Sequence, residues 1–462
     1  MRNQEIQDIY KLSPMQQGML FHWLYDNHSP AYFVQNVYTI KGKIDLQCFE
    51  ECLNSLSQKY DALRTSFVHE DLKEPLQVVL KSRKIEFLFI EANAYTEVEY
   101  LRVKDVERGF DLTNDSLMRV ILIKTGIDGY KMIWSFHHII MDGWSLAIII
   151  KEFVTMYSGE TLQASRVEPL QYKSFIKWIE TRDRKESIDF WSKYLENCEE
   201  SIDLPKSKLY PSKKVIKKKK YQLTSTLSNK LRKIASIHGL TLNSILQSVW
   251  KILMSRYNNT DNIVFGCVVS GRPYELEGIE DAAGLFVNTL PICTKLDSEE
   301  RVLDLIRRVV SNFNLIDKHN FLPLNEIQSL SELKQNLVNQ LWVFENHPRE
   351  NHKRITTDKA GTKSLGFKIT DVRSIEQTNF DLTITVFPDE IISIEFAYNN
   401  GQYATKTIHG VFEHFVAFAD QIAENIMVKV SELTLLSDID RVSLLDSFNS
   451  TSLDYDREEN LL

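Results

Sequence analysis

The sequence predicts an α/β protein with two lobes. In both halves of the chain, short runs rich in β-branched and aromatic residues alternate with segments in which apolar residues recur at helical spacing. The chain has 462 residues, which is more than one ordinary hydrophobic core accommodates. Hydrophobic residues make up 43% of the chain and aromatic residues 11%, so we expect two large cores.

The N-terminal half contains a predicted strand between two predicted helices. Residues 46–60 and 144–157 carry apolar side chains at the spacing of a buried helix face. Residues 130–136 are rich in aromatic and β-branched side chains, which is typical of a strand. The segment that follows this strand therefore lies between a strand end and a helix start.

The C-terminal half contains a predicted long helix at 225–257 and predicted apolar strands at 264–270 and 380–387. A basic stretch at 206–220 precedes this half. It contains Pro211 and ends in four consecutive lysines, which predicts an exposed connector.

The connector sets the predicted division of the chain. We expect the break near residues 180 to 220. Residues 1–180 then form the N-terminal lobe, residues 181–435 the connector and C-terminal lobe, and residues 436–462 a linker.

Charge and composition exclude several classes of protein. The formal net charge is −8 at pH 7, which repels nucleic acid, and the basic stretch lacks the interleaved aromatic residues of a single-strand-binding surface. No segment is apolar for long enough to predict a membrane span, and the polar N-terminus lacks a secretory signal pattern. Neither GxxxxGK[ST] nor GxGxxG occurs, so no bound nucleotide is expected. These features predict a cytoplasmic protein.

The cysteines form an odd, scattered set without paired CxxC spacing, which argues against a disulfide framework or a zinc site. We predict buried free thiols at Cys48, Cys52, Cys198, Cys267 and Cys293.

The densest chemical motif lies at residues 136–145, where His137 and His138 are followed by Asp142 and Gly143. Adjacent side chains of a strand point to opposite faces, so one histidine is expected to work and the other to support it. Because neutral imidazole accepts protons near pH 7, the pattern favours acid–base chemistry. Two alternatives are a packed histidine pair followed by an ordinary Asp142 N-cap and, less favoured, a metal site.

The pattern His-His-x-x-x-Asp-Gly resembles the motif of condensation domains of nonribosomal peptide synthetases. Further segments resemble the other motifs of that family in the expected order, and together they span nearly the whole chain. They are Leu-Ser-Pro-Met-Gln-Gln-Gly-Met-Leu-Phe-His at 12–22, Tyr-Asp-Ala-Leu-Arg-Thr-Ser-Phe at 60–67, Ala-Gly-Leu-Phe-Val-Asn-Thr-Leu-Pro at 283–291, a variant motif at 319–326, and Phe-Asp-Leu-Thr at 380–383. So many ordered motifs are far more specific than one short pattern.

The resemblance implies a fold of two chloramphenicol acetyltransferase-like lobes, arranged as a V around a central tunnel. It implies that an amine on an acceptor carrier protein attacks a donor thioester, forming a peptide bond. His138 matches the catalytic histidine, which hydrogen-bonds the acceptor α-amine. His137, Asp142 and Gly143 match supporting positions, with Asp142 paired to Arg64.

The resemblance also implies residues that line the tunnel near the phosphopantetheine arm. One group follows the histidine motif, and the other belongs to the opposite lobe. The residues are Trp144, Ser145, Ser270, Asn288 and Thr289. Around Tyr172 the sequence departs from the family's fourth motif, so the resemblance assigns no role to this tyrosine.

The form of the first motif resembles domains that take a donor ending in a D-residue and join it to an L-acceptor. Two alternatives stay open: an epimerisation domain, which shares the histidine motif, and a non-catalytic docking platform. A cyclisation domain is disfavoured because it has aspartate in place of the first two histidines, and an acyl-CoA transferase is disfavoured because no Asp-Phe-Gly-Trp motif is present.

The expected partners are carrier proteins that deliver 4'-phosphopantetheine; no intrinsic cofactor or metal is expected. The upstream donor carrier is expected to follow an epimerisation domain and to dock at the N-terminus, where residues 4–10 resemble an acceptor region for the preceding enzyme. Residues 432–462 resemble a connector to a downstream adenylation domain with its acceptor carrier. We expect a monomer without nucleic-acid or membrane partners.

Overall fold

The computed structural model describes residues 5–26, 29–91, 95–159, 168–196, 198–206, 214–345, 365–435 and 445. Strands and helices alternate along these residues, as the α/β prediction requires. The strands are β1 (Ile6–Lys11), β2 (Phe33–Gly42), β3 (Thr65–Val68), β4 (Leu76–Leu80), β5 (Glu86–Glu91), β6 (Met118–Lys124), β7 (Gly129–His137), β8 (Ile216–Gln222), β9 (Asn262–Val269), β10 (Asn288–Lys295), β11 (Gln340–Phe344), β12 (Phe367–Ile375), β13 (Leu382–Phe387) and β14 (Ser393–Asn399).

The α-helices are α1 (Pro14–Tyr25), α2 (Leu46–Lys59), α3 (Tyr95–Arg108), α4 (Gly143–Tyr157), α5 (Tyr172–Glu180), α6 (Arg184–Leu195), α7 (Ser225–His238), α8 (Leu242–Asn258), α9 (Val302–Ile316), α10 (Leu324–Ser329) and α11 (Thr405–Glu424). Short 3-10 turns occur at Asp61–Arg64, His138–Ile140, Ile279–Asp281, Asp317–His319, Lys334–Leu337 and Val430–Glu432. The helices predicted at 46–60 and 144–157 are confirmed, as are the strands predicted at 130–136, 264–270 and 380–387, to within two residues at each end.

The chain forms two compact units. The first comprises Met1–Ser201, Val264–Cys293 and Ile316–Val386, and the second comprises Ile202–Ile263, Thr294–Leu315 and Phe387–Leu462. These bounds differ from the division predicted at residue 180, because late segments pack with early ones: β12 pairs with β2 along its whole length. The linker predicted at 436–462 lies outside the described residues except for position 445.

A five-stranded sheet positions the histidine motif in the first unit. Its order is β12-β2-β7-β6-β5, antiparallel except for the parallel pair β5 and β6. Helices α2 and α4 cover one face, where the ring of Phe153 lies 4.7 Å from that of Phe49 and 5.8 Å from that of Trp134. This aromatic core packs β7 against α4.

The first unit contains two further sets of strands. β4 lies between β1 and β3 and is antiparallel to both. β11 pairs in parallel with β9 and β13, and β10 lies beside β9. This arrangement brings the start of β10 and the loop before it into the same unit as the histidine motif.

In the second unit, β8 pairs antiparallel with β14, so the connector prediction for 206–220 is wrong over 216–220. The lysines at 217–220 are exposed, as predicted, but they lie on a strand. Lys218 forms an ion pair with Glu395 at 3.4 Å, and the Lys220 ammonium lies 4.2 Å from the centre of the Phe387 ring. A lysine-rich strand is compatible with a sheet edge, where charge discourages pairing with other chains. Residues 207–213 lie outside the described ranges.

The single helix predicted at 225–257 is instead two helices, α7 and α8. Gly239 ends α7 in the left-handed conformation, with φ of 64°. The Thr241 side chain then accepts a hydrogen bond from Ser244 N and begins α8. Glycine adopts this φ without a Cβ penalty, so a stop signal and a start signal interrupt the apolar periodicity.

The prediction of free thiols throughout is wrong for one pair. Cys198, which follows α6, forms a disulfide with Cys293 on β10. Cys48, Cys52 and Cys267 are thiols outside this disulfide. The paired residues are 95 positions apart, and only the tertiary fold brings them together.

No helix within the described ranges is both long enough and apolar enough to cross a membrane.

Candidate functional site

The histidine motif lies where β7 gives way to α4. β7 ends at His137, and a 3-10 turn begins at His138. The backbone N–H of His137 donates to Leu117 O at 3.0 Å, and that of His138 donates to Tyr32 O at 2.8 Å. The backbone of both histidines is therefore fixed by neighbouring segments, and the predicted position at a strand end is confirmed.

His137 is buried, with 4% of its surface exposed. Its Nδ1 accepts a hydrogen bond from the backbone N–H of Ile139 at 3.1 Å. Burial, followed by the charge of His138, lowers the pKa of His137 to about 3. The ring is thus neutral near pH 7 and holds the turn that carries His138.

His138 faces a carboxylate that the sequence analysis did not identify. Its Nε2 lies 3.4 Å from Oε1 of Glu376, and the two side chains are 16% and 39% exposed. Burial lowers the pKa of His138, but the hydrogen bond and negative charge of Glu376 outweigh it, with smaller contributions from the backbone of His138 and from Asp142, so the pKa is raised above its ordinary value. The pKa of His138 is therefore shifted upward, whereas that of His137 is shifted downward.

The backbone of Tyr32 places Glu376 beside His138. Its carbonyl accepts from His138 N, and its N–H donates to Gln377 O at 3.0 Å. Tyr32 has φ of 64°, a conformation that is costly for a large side chain. Its hydroxyl donates to Asn379 Oδ1 at 2.8 Å, so contacts on three sides hold the residue in this conformation.

Asp142 joins three elements of the site. It is the N-cap of α4 and accepts from Ser145 N at 2.8 Å. It also accepts from Phe286 N at 3.1 Å and lies 3.4 Å from the Arg272 guanidinium. With 1% of its surface exposed, this carboxylate would be costly to bury without such partners.

The predicted pair of Asp142 and Arg64 is wrong. Arg64 instead pairs with Asp61, at 2.5 Å within a single 3-10 turn, and with Gln7 at 3.1 Å. Arg64 thus pairs with a local carboxylate three residues earlier, and Arg272 takes its place beside Asp142. Arg64 forms no contact with the histidine motif among those described.

Arg272 is the central residue that the sequence analysis missed. Its Nη2 donates to Ser145 Oγ at 2.9 Å, and its Nη1 donates to the carbonyls of Ile279 and Ala282. Its guanidinium also lies 4.0 Å from the centre of the Phe286 ring. In the sequence, Arg272 lies two residues after the predicted strand at 264–270, and nothing in that pattern indicates Asp142 as its partner.

The segment 284–286 is clamped onto the start of α4. Ser145 Oγ donates to Gly284 O at 2.7 Å, and Asp142 N donates to the same carbonyl at 3.1 Å. The Tyr172 hydroxyl donates to Leu285 O at 2.6 Å. Tyr172 therefore has a structural role, although the sequence assigned it none.

We expect Gly284→Ala to destabilise this clamp. A Cβ at this position would lie 2.1 Å from Cδ2 of Tyr172, and overpacking of this kind costs about 1–3 kcal/mol. Urea unfolding of the variant and wild type measures the loss. In a Tyr172→Ala background, Gly284→Ala should lower the free energy of unfolding by less than it does in wild type, because the ring that the new Cβ would meet is absent. Strict additivity of the two substitutions would contradict the proposed clash.

The remaining predicted site residues differ in their surroundings. Asn288 donates its amide to the carbonyls of Asn320 at 2.6 Å and Leu322 at 2.8 Å, and its Oδ1 accepts from Thr289 N. Both Asn288 and Thr289 are buried, whereas Ser270 is exposed. Asn288 thus holds a loop, in the same compact unit as the histidine motif rather than in a different one.

Two further predicted residues lie at the start of α4. Gly143 is its first residue. Trp144 donates its Nε1 proton to Glu280 O at 2.9 Å. No group of three or more metal-ligating side chains occurs among the residues that the structure describes.

Nearly the whole chain is similar to proteins of one known family. The sequence model of the condensation domain family matches residues 6–445. Gramicidin S synthase 2 of Brevibacillus brevis is 38% identical over 98% of this chain, and tyrocidine synthase 2 of Brevibacillus parabrevis is 36% identical over 98%. The chain spans only 10% and 13% of the lengths of these two relatives.

Solved structures share the fold. The four-domain nonribosomal peptide synthetase AB3403 superposes with a TM-score of 0.76 and 18% identity, covering 94% of this chain and 34% of that one. The first condensation domain of the calcium-dependent antibiotic synthetase, in complex with a substrate analogue, superposes with a TM-score of 0.72 and 16% identity, covering 94% and 100%. The predicted fold class of two chloramphenicol acetyltransferase-like lobes is thereby confirmed. The chain belongs to the condensation domain family, the amide-forming enzymes of nonribosomal peptide synthesis.

Proposed function

We propose that this domain forms a peptide bond between a donor peptidyl or aminoacyl thioester and the α-amine of an acceptor aminoacyl thioester, both carried by carrier proteins. The observation that carries the proposal is the position of His138. Its Nε2 lies beside a carboxylate, while His137 is buried and neutral beneath it. Such a site can accept one proton without a second charged histidine competing for it.

In the proposed step, neutral His138 accepts a proton from the acceptor amine as the nitrogen attacks the donor carbonyl. The carbon–sulfur bond then breaks, and the donor pantetheine leaves as a thiol after taking up a proton. Because an ordinary α-amino pKa is near 8, much of the nucleophile is neutral in mildly alkaline solution. Positioning of the amine therefore contributes alongside proton transfer.

The proposed donor ends in a D-residue and the acceptor is an L-residue. The support is the form of the first motif, which contacts the catalytic turn: the Gln16 side chain donates to Ile139 O at 3.0 Å. Ser13 and Gln16 form a capping box that fixes the start of α1 against this turn. Changes in the first motif can thus alter the position of His138.

The small share of each relative that this chain spans supports partners within a longer synthetase. 4'-Phosphopantetheine arms would arrive on an upstream carrier, after an epimerisation domain, and on a downstream carrier beside an adenylation domain. Trp144 and Ser270, which are exposed, are proposed to contact an arm. Buried Ser145, Asn288 and Thr289 are proposed to shape that region through backbone contacts.

The test uses donor carriers loaded with a D- or an L-terminal aminoacyl group and one loaded acceptor carrier. Intact-mass detection should find the dipeptide on the acceptor with the D-donor and little with the L-donor. Equal yields from both donors would contradict the stereochemical proposal. Chiral analysis separates the alternatives: epimer exchange without a new bond indicates epimerisation, a reaction that a carboxylate beside His138 could also support, and carrier binding without chemistry indicates a docking platform.

A further inference from the structure

Glu376 is a second ionisable group at the site, and neither the motifs nor the proposed step uses it. It follows the last residue of β12, and its Oε1 lies 3.4 Å from Nε2 of His138. Its side chain is 39% exposed, whereas that of His138 is 16% exposed. The carboxylate therefore lies on the more accessible side of the pair.

We propose that Glu376 forms the anionic half of the acceptor-amine site: its carboxylate accepts one N–H of the acceptor's α-ammonium while Nε2 of His138 accepts another. This inference rests on the proposed function and extends it to a further substrate-binding residue. An α-ammonium has three N–H donors, so one ligand can contact both side chains when they lie 3.4 Å apart. Charge-assisted hydrogen bonds of this kind are the stronger ones.

Glu376 acts at two points of the proton transfer. The ammonium carries one proton more than the nucleophile, and that proton is released to solvent on the exposed side of Glu376. As the nitrogen forms its bond to the donor carbonyl carbon, a second proton moves to Nε2 of His138, and the adjacent carboxylate stabilises the resulting imidazolium. The carbon–sulfur bond then breaks, and the departing sulfur takes that proton from the imidazolium. Two protons leave the nitrogen, one to solvent and one to the sulfur, so atoms and charge balance.

Backbone hydrogen bonds fix the segment that carries the Glu376 carboxylate. Backbone hydrogen bonds on both sides of Tyr32 join His138 to Gln377, and the tyrosine hydroxyl reaches Asn379. Two other titratable groups lie near His138. Asp142 favours the protonated form of His138, and the charge of His138 in turn lowers the pKa of His137. Neither provides a carboxylate within ion-pair distance of Nε2 among the described contacts.

The experiment compares binding of two stable pantetheine amides, one aminoacyl and one with the α-amine replaced by hydrogen. Wild type should bind the amine-bearing compound more tightly, and Glu376→Gln should lose about 10- to 100-fold of that preference, the contribution of a hydrogen bond to a charged group. Glu376→Asp should retain part of it. A preference unchanged in Glu376→Gln would overturn the proposal.

A second readout is the pKa of His138, followed by NMR on histidine-labelled protein and assigned with His138→Ala. It should fall in Glu376→Gln, because the carboxylate no longer favours the imidazolium; an unchanged pKa would also overturn the proposal. The matched control is Glu413→Gln, which removes a carboxylate lying at the same 3.4 Å from His409 on the exposed face of α11. This control should change neither readout.

The two proposals fail separately. Loss of amine preference and a lower His138 pKa in Glu376→Gln, together with no peptide from wild type, would support the amine site and overturn the proposed reaction. Peptide formation by wild type, together with an unchanged amine preference in Glu376→Gln, would support the proposed reaction and overturn the amine site. Because Gln is nearly isosteric with Glu, equal melting temperatures are expected for the variant and wild type.

Discussion

Replacing His138 with alanine is expected to reduce peptide formation by about 10²–10⁴-fold, the usual contribution of a positioned acid–base group. The raised pKa sets the sign of the pH dependence. Only neutral His138 accepts a proton, so wild-type activity should rise as the pH increases through a value above the ordinary 6.5. His137 does not contribute to this limb because its pKa is about 3. The residual activity of His138→Ala should lose the rise that His138 causes and keep only the rise near pH 8 that comes from deprotonation of the acceptor amine, as single-turnover rates across pH would show.

The neighbouring histidine provides the matched control. His137→Ala removes the acceptor of the Ile139 N–H and leaves a cavity, so it should destabilise the fold by about 1–3 kcal/mol. His138→Ala removes a partly exposed side chain and should melt close to wild type. If His138→Ala unfolded as readily as His137→Ala, lost activity would report folding rather than chemistry.

Replacing Arg272 with alanine is expected to lower the free energy of unfolding by about 3–5 kcal/mol, because it leaves the buried carboxylate of Asp142 without its cation. The substitution also removes the hydrogen bond to Ser145 and the contact with the Phe286 ring. Urea unfolding measures the loss. Arg184→Ala is the comparison: its ion pair with Glu326 is largely exposed on the arginine side, and such pairs are worth about 0–1 kcal/mol.

Double-mutant cycles test which arginine is the partner of Asp142. Combining Asp142→Asn with Arg272→Ala should cost less than the sum of the single substitutions, because the two residues share one interaction. Combining Asp142→Asn with Arg64→Ala should be additive, since Arg64 pairs with Asp61. Additivity at Arg272 and coupling at Arg64 would contradict the assignment.

The local features of the site were predictable from sequence. The composition of 130–136 marked the strand, the apolar spacing of 144–157 marked the helix, and these two elements place His138 and Asp142 at their junction. Helix and strand periodicity extends over neighbouring residues, so it reports what lies next in the chain. Adjacent side chains at the end of a strand point to opposite faces, and this local rule predicted that His137 and His138 have different surroundings.

The long-range partners were not predictable in the same way. Arg272 is 130 positions from Asp142, and Glu376 reaches His138 through the pairing of β12 with β2 and the backbone of Tyr32. No periodic pattern encodes such pairings, because they depend on strand order and register. The error over the lysines at 217–220 has a related cause: composition predicted their exposure, whereas pairing with β14 decided their conformation.

The most direct test of the account is intact-mass detection of dipeptide on the acceptor carrier in a single turnover, with the D-loaded donor and with wild type and His138→Ala side by side. The account predicts dipeptide from wild type and a loss of about 10²–10⁴-fold in rate for the variant, with carrier binding and melting temperature retained. A fully active, correctly folded His138→Ala would contradict the assignment of His138 as the residue that accepts the proton.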